Sequence, residues 1–291
     1  MLREYLTLAG SVLLTSLIFY VVERVAPAER GQPFSGWLFN AAYTPAILAL
    51  IFLLNLLLFN LALSYVLVAA GGGLLPVLSV EKRGPVAQLL FAAAYAVVWD
   101  FWQYWLHRLQ HAVPFLWETH KFHHSDTALN STTQSRVHVL SYFLSVIFYL
   151  PVLILFGTQT PHFVVTFLMF RMWGFVNHAN VRVNFGRLTP FISGPQWHRI
   201  HHSARAEHRG KNFATFFPFI DLLFGTYYRP REAEYPPSGL AGRGATALRQ
   251  ATFEPFSAWR RMILRWFGGS RAGERLFGSV GRAPRPGRPS L

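Results

Sequence analysis

The chain has 291 residues, of which 52% are hydrophobic and 14% charged, against about 25% charged in an ordinary soluble domain. It has no cysteine. That excludes disulfides, thiolate metal sites and a fused iron–sulfur or rubredoxin-type electron carrier, and leaves histidine and carboxylate as the strong ligands. The net charge of +14 sits among apolar runs and in an Arg-rich tail, with no nucleic-acid-binding module, so nucleic acid is not an expected partner.

Taken in chain order, the first apolar run is 6–22, about the length needed to span a bilayer. A cleaved signal peptide is the alternative, disfavoured because Arg3 is offset by Glu4 and the run is long. A second run covers 44–70 and ends at the glycines 71–73 and Pro76. It reads as one tilted helix or as part of a re-entrant hairpin. A third run, 85–106, carries Asp100. The fourth and fifth, 139–156 and 162–177, are separated by the turn Gly157 to Pro161. After about Pro230 the chain turns rich in Gly, Pro, Ala and Arg. Within that tail, 254–267 is predicted to form a basic amphipathic helix lying on the membrane, and the last residues are expected to be disordered. An aromatic content of 16% fits interfacial belts. These readings give an all-α, polytopic integral membrane protein. Three regions are expected: an N-terminal transmembrane region 1–84, a core 85–230, and a basic tail 231–291.

Three histidine patterns stand out: HRLQH at 107–111, HKFHH at 120–124 and HRIHH at 198–202. On a helix, residues three and four apart share a face. An isolated HxxxH arises by chance and a lone histidine near a membrane surface is usually a polar interfacial residue. Two HxxHH boxes plus an HxxxH are a different matter. His107, His111, His120, His123, His124, His198, His201 and His202 are too many ligands for one ion and suit two, with about four nitrogens each. Imidazole binds Zn, Cu, Fe and Ni, so ligand type leaves the metal open.

The first two boxes follow the third run and the last follows the fifth. Between them the chain crosses twice, or dips in and returns, so all three boxes emerge on one side. Arg108, Lys121, Arg136, Arg182, Arg187, Arg199, Arg205 and Arg209 lie on that side, which predicts a cytoplasmic face. Fifteen Lys and Arg against six Asp and Glu from Ser203 onward point the same way and favour anionic lipid.

His178, which ends the fifth run, is the ninth candidate ligand; the alternative is an interfacial histidine. Asn180 could bind metal directly or through water. His138 is expected to line the site, His162 to lie across the membrane from it, and His208 to be solvated. Asp100 precedes His107 by seven residues on the same helix face. It is expected to accept a hydrogen bond from a ligand imidazole and orient the ring, with pairing to an arginine as the equal alternative. Asp126 and Glu118 are candidates for similar roles, and Asp221 for a structural cap or ion pair.

From about Pro85 to Pro230 the chain resembles the fatty acid hydroxylase and sterol desaturase superfamily of membrane di-iron oxygenases. DFWQYWLHRLQH at 100–111, LWETHKFHHSD at 116–126, LNSTTQSRVH at 129–138, HRIHHS at 198–203 and KNFATFFPFIDLLFGTYYRP at 211–230 occur in the family's order. Their spacing is most similar to the branch containing alkylglycerol monooxygenase and bacterial lipid hydroxylases. The chain departs at Val139 and Ser141, where many relatives carry a proline and a glutamate. The resemblance implies two iron ions, with zinc partly replacing them on purification. It implies oxygen-dependent attack on a C–H bond of a lipid from the bilayer: an acyl chain, an alkyl ether or a sterol. No Rossmann fingerprint, P-loop or haem-attachment motif is present, so a separate reductase or electron carrier is expected. Desaturation and aldehyde processing are the alternatives within enzymes, and a membrane metal-binding protein is the alternative outside them. Clustering of the ligands on one face argues against transport. The oligomeric state is left open.

Overall fold

The computed structural model describes residues 2–56, 83–156, 161–240 and 251–267. Among these, nine α-helices and short 3-10 turns account for the regular structure, with two isolated β-bridges, Pro27 to Val181 and Ser203 to Ser238. The helices are α1 Leu2–Val25, α2 Phe34–Leu54, α3 Pro85–Ala112, α4 Pro114–His124, α5 Val139–Phe156, α6 Pro161–His178, α7 Pro195–His201, α8 Phe219–Leu223 and α9 Glu254–Phe267. Four are long and apolar enough to cross a membrane: Tyr5–Val25 within α1, then α2, α3 and α5. The fifth apolar run is α6.

The second run differs from its expected span. Helix α2 starts at Phe34, behind the extended Pro33, ten residues before the predicted start at 44. Its first turns bury polar Asn40 and Thr44, so hydropathy alone understates them. The predicted continuation to residue 70, the glycines that end it, and the C-terminal end of the tail lie outside the described residues.

Prolines set the corners that bring the boxes together. Val113, ahead of Pro114, is held extended at φ −98° and ψ 114°, because a residue before proline is disfavoured in the helical region. The chain therefore leaves α3 and starts α4 at once, with Pro114 at the first helical position, and the histidines of both helices face each other. Pro195 starts α7 in the same way, behind extended Gly194.

Helices α3 and α5 run antiparallel. Gln110 donates to Ser141 Oγ at 2.8 Å, Tyr149 Oη donates to Gln103 Oε1 at 3.0 Å, and Trp102 Nε1 donates to the Phe148 carbonyl. Tyr95, Trp99, Val152, Phe156 and Phe170 form the apolar core between α3, α5 and α6. A second core of Tyr104, Trp197, Phe213 and Ile220 lies beneath α7. The end of α3, the start of α5 and the end of α6 meet at one end of the bundle, so all three boxes lie together; α6, the expected fifth crossing, is not among the four helices long and apolar enough to span.

The N-terminal helices are tied into that end by buried polar groups. Glu23 accepts from the backbone N–H of Ser131 at 2.6 Å and of Asn180 at 3.0 Å. Asn40, fully buried, donates to Asp126 and Thr132 and accepts from Arg136. The amphipathic segment of the tail is helical, as expected. Trp259 of α9 stacks on Phe115 with ring centroids 4.0 Å apart and donates to the Phe115 carbonyl, while Trp266 and Phe267 are each 83% exposed.

Replacing Asn40 with alanine strands Asp126, Thr132 and Arg136 without one shared partner. Each buried group left unsatisfied costs about 1–3 kcal/mol. The expected outcome for Asn40→Ala is a lowered thermal unfolding midpoint in detergent, read by tryptophan fluorescence; an unchanged midpoint would remove this network from the fold's support.

Candidate metal centre

The boxes fold into two adjacent groups. His107, His111, His120, His124 and His201 each place one ring nitrogen within 4.8 Å of all the others, and so do His123, His178, His198 and His202. All eight box histidines and His178 are thus brought together, as five and four. The split follows helical spacing. His107 and His111 both serve the first group. On α4, His120 and His124 are one turn apart and serve the first group, while His123 turns to the second. On α7 and its C-cap the pattern is reversed: His198 and His202 serve the second group and His201 the first. An HxxHH box therefore reaches two centres, which an HxxxH cannot.

The facing nitrogens are close. Nε2 of His124 lies 3.0, 3.2 and 3.2 Å from Nε2 of His111, His120 and His201. Nε2 of His178 lies 3.1 Å from Nε2 of both His123 and His198. These are edge lengths expected when nitrogens surround a common centre at about 2 Å, an ordinary metal–imidazole distance. The rings of His124 and His202 stack at 4.3 Å across the two groups. His107 Nε2, His198 Nδ1 and both nitrogens of His202 are buried without a hydrogen-bond partner. Buried polar atoms are normally paired, so the donor set fits metal ions and fits little else. Burial, reinforced by neighbouring imidazoles, holds His120, His123, His124, His198, His201 and His202 well below the usual histidine pKa. They are therefore neutral, the form that binds metal.

The ring orientations are fixed by backbone carbonyls. Nδ1–H of His107 donates to the Phe213 carbonyl at 2.8 Å, that of His201 to Lys211 at 2.8 Å, and that of His178 to Gly174 at 2.6 Å. Each bond leaves Nε2 aimed into its group. Asn212, between two of those carbonyls, sits in the left-handed region at φ 63°, which asparagine tolerates. Its side chain bonds Trp197 and Tyr228.

The carboxylates do other work than expected. Asp100 is fully buried, but it meets neither an imidazole nor an arginine. Its oxygens accept from the backbone N–H of Thr215, Phe216 and Phe217 at 2.8, 2.9 and 2.6 Å. Backbone amides in the segment after the last box satisfy the charge more fully than one ring N–H would. Asp221 accepts from the N–H of Phe213 and Ala214, the structural capping expected of it. Asp126 serves Asn40, Thr133, Ala128 and Arg136, and Glu118 pairs with Lys121, so neither orients a ring. Asn180 turns its side chain to Glu29 and Arg199 rather than to the histidines. His208 is buried, 3.3 Å from Glu234, and not solvated. His138 bonds the Thr252 carbonyl and borders the site cavity, as expected. His162 is near the start of α6, the opposite end from His178.

A cavity of about 340 Å³ opens on His107, His120, His123, His178 and His198. It runs between α3, α5 and α6 past Trp99, Tyr149 and Phe170 to Phe167, whose side chain is 42% exposed on the flank of α6. Sequence reasoning missed its polar wall, Gln103, Gln110, Gln134 and Arg171: Gln103 and Arg171 sit singly inside apolar runs, and Gln110 and Gln134 lie in polar stretches where one more amide gives no signal.

Asp100→Asn removes the charge that holds three backbone amides and replaces one acceptor oxygen with a donor. The segment bearing the Phe213 carbonyl then loosens from His107. Thermal stability and metal retention should fall together, by about 1–3 kcal/mol for the former; loss of metal at unchanged stability would mean that Asp100 acts on the histidines directly.

Residues 92–226 match the fatty acid hydroxylase family. The chain is 33% identical over 134 residues to alkylglycerol monooxygenase of Homo sapiens, covering 46% of this chain and 29% of that protein. It is 29% identical over 161 residues to an ornithine lipid hydroxylase of Rhizobium tropici, 55% of this chain and 49% of the relative. It is 26% identical over 154 residues to a methylsterol monooxygenase of Arabidopsis thaliana, 48% of each. The matched stretch spans less than half the length of each of these relatives. No solved structure matches the chain. The segment that matches the fatty acid hydroxylase family, 92–226, carries all nine histidines of the two groups.

Proposed function

We propose that this protein is a membrane-bound lipid hydroxylase with two iron ions, one held by His107, His111, His120, His124 and His201 and the other by His123, His178, His198 and His202. The observation that carries the reading is the cavity that joins five of these histidines to the apolar flank of α6. A hydrocarbon chain entering beside Phe167 would lie against Trp99, Tyr149 and Phe170 and end at the imidazoles. The relatives named for alkylglycerol, ornithine lipid and methylsterol oxidation support a lipid C–H bond as the target.

When bound, the iron pair supplies oxygen activation and removal of a hydrogen atom from an unactivated carbon. One oxygen atom enters the lipid as a hydroxyl. The other leaves as water, with two electrons and two protons delivered from outside. The chain's own residues supply the rest. The carbonyls of Lys211, Phe213 and Gly174 hold three rings in the ligating tautomer. The aromatic wall excludes water from the reacting carbon. The electrons come from a separate reductase or carrier. The basic residues Arg108, Lys121, Arg205 and Arg209 favour an acidic carrier and a cytoplasmic site, with the core 85–230 as the catalytic region.

Three measurements test the reading. Elemental analysis of lipid-supplied protein should give about two metal ions per chain; one or none would remove the two-centre assignment. Alanine at any of the nine histidines should abolish turnover, while His162→Ala should leave it largely intact. With labelled oxygen gas and an external reductant, the label should appear in the product alcohol. Label from water would point to hydrolytic chemistry, and a lipid that loses two hydrogens without gaining oxygen would move the assignment to desaturation.

A further inference from the structure

Arg171 stands inside α6, seven residues before His178, about 10 Å of helix rise from it. Its side chain lines the cavity beside Gln103, Gln134, Tyr142 and Ser145. The other buried arginines near the site have acceptors. Arg136 is 3.4 Å from Asp126 and Arg199 is 2.5 Å from Glu29. Arg108 bonds Tyr104 Oη and the Phe224 carbonyl. Among the described residues no carboxylate or carbonyl pairs with Arg171. Its electrostatic neighbour is the phenol of Tyr142, whose oxygen already accepts from Asn55. A guanidinium remains charged in a protein, and an ionisable group within apolar helices is costly unless it has a partner or a task.

Gln134 strengthens the case. Its side chain lies against Gly174, one turn beyond Arg171. A Cβ at 174 would sit 2.3 Å from Gln134 Nε2, so the glycine leaves this amide its place in the cavity wall. The amide, too, has no hydrogen-bond partner among the described residues. A charged fork and a neutral amide donor thus face the same space, with no anion among the described residues to meet them.

We propose that Arg171 binds the anionic group of the substrate, so that the cavity selects an acidic lipid bearing a carboxylate or a phosphate, with Gln134 donating a further hydrogen bond. This rests on the hydroxylase reading for the cavity's role as substrate site. Arginine's planar fork matches either group with two parallel hydrogen bonds. A neutral lipid of the same chain length would leave that charge unpaired and bind less well. Arg171 fixes which end of the lipid faces the histidines; it takes no part in the chemistry.

The test is equilibrium binding to the purified full chain in detergent, without oxygen or reductant. The probes are radiolabelled oleate and oleyl alcohol, which share a chain and differ in charge. Wild-type protein should bind oleate about tenfold more tightly, the order of a charge-assisted hydrogen bond. Arg171→Gln should abolish the difference and Arg171→Lys should keep most of it. Competition by dioleoyl phosphatidate and by dioleoylglycerol then assigns the anion: phosphatidate displacing oleate more strongly than oleate displaces itself names the phosphate, and the reverse names the carboxylate. Equal wild-type affinity for oleate and oleyl alcohol overturns the proposal, and so does a preference that survives Arg171→Gln. If that variant fails to fold, the wild-type comparison and Arg171→Lys still decide. A charge preference without any oxidised product would count against the hydroxylase reading alone. Hydroxylated product without the preference would count against Arg171 alone.

Discussion

Packing nine imidazoles, five of them on buried and four on half-buried residues, into two touching groups is the constraint to which the rest of the molecule answers. A buried ring nitrogen without a partner costs stability, and several here have none among the described residues. Hydrogen bonds alone would pair the rings with one another in mixed tautomers and fix no single arrangement. Metal ions would satisfy the inward nitrogens, and the outward ones need acceptors whose positions do not drift. Three of those acceptors are main-chain carbonyls, and two of the three belong to a segment without regular structure. The acids are spent on that segment. Asp100 and Asp221 together hold five consecutive backbone amides, from Phe213 to Phe217. Rigidity thus passes from α3 and α8 through the backbone to His107.

This arrangement explains why the boxes were legible in the sequence and their supports were not. HxxxH and HxxHH declare a shared helix face by spacing alone. Asp100 was visible as a buried carboxylate on the histidine face. Its partner was not, because backbone amides more than a hundred residues away leave no trace in composition. The same holds for Glu23 and Asn40. Each is a polar residue in an N-terminal helix, and each reaches a loop near the site through a hydrogen bond that no local pattern announces. The displaced start of α2 has a related cause: its buried polar face was read as a break in an apolar run.

Arg171 was hidden for a different reason. Inside a run such as HFVVTFLMFRMWGFVN a single arginine reads as an interruption to be tolerated. Only the packing of α3, α5 and α6 around a cavity shows that it faces inward, and only the ion pairs among the described residues show that none of them supplies its counter-charge. Ser141 was noted only as a departure from a family pattern. In the structure it accepts a hydrogen bond from Gln110 on the cavity wall, where a longer side chain would fill space.

The exchange of one ligand between the two groups has a mechanical consequence. Helix α4 gives two histidines to the first group and one to the second; α7 with its C-cap gives one and two. Neither helix can shift along its axis without moving histidines of both groups, and the stack of His124 on His202 ties the two helices to each other. A site built from two independent boxes would allow one centre to open while the other held. Here the centres are coupled through rigid turns. Both helices begin at a proline, which fixes φ at the first position and so limits the slack at their start. The two histidine groups therefore hold their separation as a property of the fold.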